Sequence, residues 1–87
     1  MEKVVPGNNT WKREEINGHM ITAVQNLCFT MGKAIESNGY GTEYSNLYSV
    51  LRGILDYTIN EDIILHDKLD AIYCFHAKTW PKHPNLD

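Results

Sequence analysis

The sequence predicts an all-α domain, either a helical hairpin or a three-helix bundle. Three observations carry this. Apolar residues recur at steps of three and four through most of the chain, the period of a helix face. The segments between those runs hold helix-end residues, notably Asn38-Gly39 and Pro81. No stretch alternates apolar and polar residues as a half-buried strand does.

The elements follow in order. Residues 1–10 contain Pro6, Gly7, Asn8 and Asn9 and read as an arm. Thr10 is the expected N-cap of a first helix, with Glu14 and Glu15 in its opening turns, where carboxylates suit the helix dipole. That helix is expected from Trp11 to Ser37. Its stripe is Ile16, Met20, Val24, Leu27, Met31 and Ile35, widened by Ala23, Cys28 and Ala34.

A second helix is expected from Glu43 to Thr58, capped by Thr42. Tyr44, Leu47, Leu51, Ile54, Leu55 and Thr58 share one face, and Tyr48, Val50 and Tyr57 spread it. Asn60 then reads as a further N-cap, with Glu61 and Asp62 in the first turn of a third helix. This one is expected to reach about Thr79, stopped by Pro81. Its apolar face holds Ile64, Leu65, Leu69, Ile72, Tyr73 and Trp80. The sequence leaves open whether residues 58–61 break the chain or bend one long helix. Residues 11–80 thus read as one domain and 81–87 as a tail.

The 87 residues suffice for one small core, and 43% hydrophobic with 22% charged residues is a globular composition. A net charge of −3 argues against general nucleic-acid binding, which needs clustered Lys and Arg. The charge is uneven: residues 43–70 are acidic, whereas the end of the chain is slightly basic. Two cysteines without metal-ligand spacing fit a reducing compartment. With no apolar leader and no long apolar run, the expectation is a cytoplasmic protein that does not enter a membrane.

Catalysis finds little support. Cys28 and Cys74 fall within helices rather than at N-termini that would activate a thiol. No nucleophile elbow, zinc-protease or P-loop motif occurs. Asp62, His66 and Asp70 stand four residues apart on the third helix, a spacing that brings side chains together. A solvated flank is the commoner outcome of that spacing, and neither metal nor cofactor is expected.

Binding is better supported. Trp11, Lys12 and Arg13 set an aromatic beside two cations at the start of the first helix. Tyr73, Phe75, His76, Lys78, Trp80, Lys82 and His83 repeat that chemistry near the end of the chain. Aromatic faces with cations suit an anionic planar ligand, such as a nucleotide, or an acidic protein patch. The two clusters meet if the second and third helices run back as one along the first. His76 falls on the apolar face, either as a core histidine or as one lining a pocket. Lys78, Lys82 and His83 fall toward water.

Self-association is also expected. A first helix of about 40 Å outruns either later one. Phe29 falls away from the apolar stripe, near Gln25 and between Gly18 and Gly32. Interior helix glycines cost about 1 kcal/mol each relative to Ala, which a closely approaching second backbone would explain.

Two stretches resemble the phage proteins that sequester cyclic-oligonucleotide signals of the CBASS defence system. They are Glu14-Glu15-Ile16 opening a long amphipathic helix, and Lys68-Leu69-Asp70-Ala71 followed by aromatics, a basic residue and a proline. The resemblance implies an oligomer of helical hairpins with a nucleotide site built from an N-terminal aromatic and a lysine of the first helix. Trp11 would supply the aromatic. Where the lysine is expected, this chain reads Val24-Gln25-Asn26.

Two functions therefore compete. One is a non-enzymatic inhibitor or adaptor of phage or mobile-element type, acting on a protein partner or on itself. The other is an oligomeric sponge for a nucleotide signal.

Overall fold

The computed structural model describes residues 12–82, which form three helices: α1 (Arg13–Asn38), α2 (Thr42–Glu61) and α3 (Ile63–Ala77). Each helix packs against both others, making a three-helix bundle. Arg13 of α1 meets Asp62 at the head of α3, and Gly32 of α1 meets Trp80 just beyond its foot. The first and third helices therefore run parallel, with α2 returning between them.

The core is a short stack. Val24, Cys28 and Met31 from α1 meet Leu51 and Leu55 from α2 and Leu65 and Leu69 from α3. All were expected on apolar faces. Burying such side chains contributes about 1.5–3 kcal/mol each for the aliphatic ones.

Helix ends account for most departures from expectation. Thr10 and Trp11 lie outside the described residues; α1 begins after Lys12, whose backbone N–H donates to Glu15 Oε1 at 3.0 Å. Its other end is as expected: Gly39 takes φ 70°, and its N–H donates to the Ile35 carbonyl at 2.8 Å. Thr42 is the first residue of α2 rather than its cap, which is Gly41.

The second helix runs on past Thr58 to Glu61, so Asn60 is helical and caps nothing. The break falls at Asp62, with φ −160° and ψ 91°. Its carboxylate accepts from the Leu65 N–H at 3.1 Å, giving α3 a true N-cap. The Arg13 guanidinium lies 3.4 Å from the same carboxylate, an interaction no residue at position 60 is shown to make. The hairpin alternative is thereby excluded. At its far end α3 stops at Ala77 and leaves Thr79 and Trp80 in a turn before Pro81.

Leu65 and Leu69 are buried, whereas Ile64 is 69% exposed, against the expectation that it shares their face. Val50 and Tyr57 likewise project outward instead of widening the core. His66 ties the break together. Its Nδ1 lies 3.0 Å from the Leu55 carbonyl and 3.3 Å from the Thr58 hydroxyl. A carbonyl only accepts, so that nitrogen carries the proton and donates.

Candidate functional site

A concavity lies between α1 and the foot of α3. It is a groove of about 460 Å³ floored by Cys28, with Phe29 and Lys33 on one lip and His76 and Trp80 on the other. Helical geometry builds it. Phe29, Gly32, Lys33 and Glu36 recur at three and four along one side of α1, and the absent side chain of Gly32 opens a depression there. Trp80 drops into that depression: a Cβ on Gly32 would stand 2.9 Å from the indole Nε1. The expectation that a second backbone explains Gly32 is thus corrected, because an indole of the same chain fills the space.

Trp80 is held from behind by tyrosines. It meets Tyr44 edge-on at 6.1 Å and Tyr73 at 6.0 Å, while Tyr44 stacks on Tyr48 at 5.9 Å. Tyr40 closes the set against Tyr44 and donates its hydroxyl to the Pro81 carbonyl. Burial pushes the Tyr44 phenol up to about 12, with Tyr73, Tyr40 and Tyr48 adding to the effect. The groove's end wall is therefore a neutral aromatic block.

The polar groups of the groove are few. Lys33 holds its ammonium 5.2 Å from the Phe29 ring centroid, a cation–π contact. Glu36 shares that lip. His76 is half-buried and packs edge-on against Phe75 at 5.7 Å; it does not hydrogen-bond a tyrosine. So of the two expectations for His76, lining a pocket is the one observed. Burial raises the Cys28 thiol to about 11, which keeps it protonated and a poor nucleophile at neutral pH.

The sequence-predicted binding residues do not converge. Lys12 and Arg13 stand at the head of the bundle, with Arg13 engaged by Asp62. Tyr73, His76, Lys78 and Trp80 stand at the foot, because α1 and α3 are parallel. Within the foot cluster, His76 and Trp80 line the groove, Tyr73 belongs to the aromatic block, and Lys78 is an exposed residue ending α3. His83 lies outside the described residues. Sequence reasoning missed Lys33, Glu36 and Thr79 as groove residues; the three- and four-residue spacing from Phe29 was the available signal for the first two.

The Asp62, His66 and Asp70 set does not form a ligand cluster. Asp62 is occupied by Leu65 and Arg13, and His66 by the α2 carbonyl. Among the described residues no group of three potential ligands is disposed to hold a metal ion. No helix there is long and apolar enough to cross a membrane.

A second feature runs along this side of the bundle, from the groove toward the head of α3. Phe29 is 58% exposed on α1, and Phe75, at 67%, joins Ile64 on the flank of α3 that faces away from α2. Ile64, Lys68, Ala71 and Phe75 are spaced four, three and four, so they form one exposed line along that flank. Gly18 and Gln25 are exposed along the same side of α1 as Phe29. A comparison with protein-family models, curated proteins and solved structures finds no match for this chain.

Proposed function

We propose that this chain is a non-enzymatic helical binding module, an inhibitor or adaptor that works by protein–protein contact. One observation carries the reading: Phe29, Ile64 and Phe75 are uncovered together on the α1/α3 side of the bundle. Scattered exposed apolar residues are ordinary, but two aromatics and an isoleucine along one side of the bundle form a line of the kind that marks an interface. Retention of partners on the immobilised chain tests this. A protein held by the natural chain is expected to be lost from an F29S/F75S variant of unchanged helicity. Equal retention by both would overturn the reading.

A second reading, sequestration of an anionic planar ligand such as a nucleotide, is favoured by a specific juxtaposition. Lys33, His76 and Trp80 offer a cation, a titratable ring and an indole around one groove. Calorimetry with mononucleotides and cyclic dinucleotides tests it. Binding tighter than about 100 μM that is lost in Lys33→Ala supports it; its absence removes it.

A further inference from the structure

We infer that the partner on the α1/α3 side is a second copy of this chain, docked antiparallel about a two-fold axis. This rests on the protein-binding reading above and names its partner.

Apolar surface is available to bury: Phe29, Ile64 and Phe75 stand 58%, 69% and 67% exposed along this side.

Charge and shape select the arrangement. Arg13 against Asp62 and Gly32 against Trp80 hold α1 and α3 in register at both ends. An axis crossing α1 between Ala23 and Val24 therefore crosses α3 at the same height, between Ile72 and Tyr73. Antiparallel docking about it lays α1 on the partner's α1 and α3 on the partner's α3. In that single register Lys33 comes opposite the partner's Glu14, and Lys78 opposite the partner's Asp67. Phe29 comes opposite the partner's Gly18, beside which no atom lies within 4 Å of a Cβ position. Gln25 lies close to the axis and faces the partner's Thr22. A parallel two-fold would instead carry Lys33 toward the partner's Lys78. An isologous contact repeats each pairing twice, so opposite charges at both ends fix the direction of docking.

Sedimentation equilibrium on the full chain and three charge variants tests this. The natural chain is expected to dimerise at micromolar concentration. K33E and E14K are each expected to weaken the dimer about tenfold, since each sets like charges together at both ends. The double variant K33E/E14K is expected to recover most of the natural affinity, an outcome that a mere loss of helix stability cannot produce. A natural chain that stays monomeric at 100 μM overturns the inference, as does a double variant no better than the worse single one. If a monomer still retains another protein through Phe29 and Phe75, the self-partner falls and the binding reading stands. If it retains nothing, both fall.

Discussion

The indole of Trp80 occupies the space that a side chain at position 32 would need, with its Nε1 2.9 Å from where a Cβ on Gly32 would stand. One glycine in α1 thereby positions the groove wall contributed by the foot of α3. Gly32→Ala gains helix propensity of up to about 1 kcal/mol but must displace the indole. We expect the displacement to win, with net destabilisation of about 1 kcal/mol and altered near-UV dichroism and Trp80 fluorescence. Gly53→Ala, with nothing within 4 Å of its Cβ position, is the contrasting case and should stabilise. Chemical denaturation of the two variants gives both signs.

Asp62 is both the cap of α3 and the tie to α1. The Leu65 N–H bond holds its carboxyl below the ordinary value, against partial burial, with Arg13 and Asn17 acting in the same direction as Leu65. A carboxyl lowered on folding stabilises the protein above its ordinary pKa, and that contribution is lost as pH falls through the lowered folded value. Asp62→Ala should lower the melting temperature at pH 7 and flatten the acid limb of the stability curve below pH 3.8, the ordinary value. Asp62→Asn keeps a capping oxygen and should lose less. Thermal melts from pH 2 to 7 distinguish the three proteins.

Thr58 is the buried polar residue at the α2–α3 junction, with its hydroxyl 3.2 Å from the Leu55 carbonyl and 3.3 Å from His66 Nδ1. Thr58→Val preserves shape and removes the hydroxyl. The His66 proton retains the Leu55 carbonyl as its partner, so the cost should be moderate, about 1 kcal/mol. Urea denaturation measures it.

The two thiols should separate by reactivity. Cys28 is fully buried and raised to about 11, whereas Cys74 is exposed. A thiol reagent at pH 8 should modify Cys74 within minutes and Cys28 only at the rate of global opening. Mass spectrometry with and without denaturant counts them; two equally fast thiols in the native protein would contradict the packing described.

The fold was legible because apolar period alone places Val24, Met31, Leu51, Leu55, Leu65 and Leu69 inward. The junction was not. Asn60 and Asp62 are both good capping residues and nothing local separates them; in the bundle Asp62 takes the cap and also meets Arg13, which is distant in sequence. Ile64 was placed inward beside Leu65, although successive helix residues point about 100° apart and Leu65 is the one that meets the core. In the site, Phe29 was correctly set off the core stripe. Gly32 was misread because its neighbour, Trp80, arrives from the other end of the chain. The groove joins residues such as Phe29 and His76, whose relation depends on α1 and α3 being parallel, a fact no local pattern encodes.

The central claim is that the α1/α3 side is the working surface. Photo-cross-linking from position 75, with position 45 as control on the exposed outer side of α2, addresses it most directly. A benzophenone at 75 should yield discrete adducts, with a second copy of the chain in the purified protein, and one at 45 should yield none. Equal adducts from both positions, or none from 75 in either purified protein or cell extract, would contradict the account.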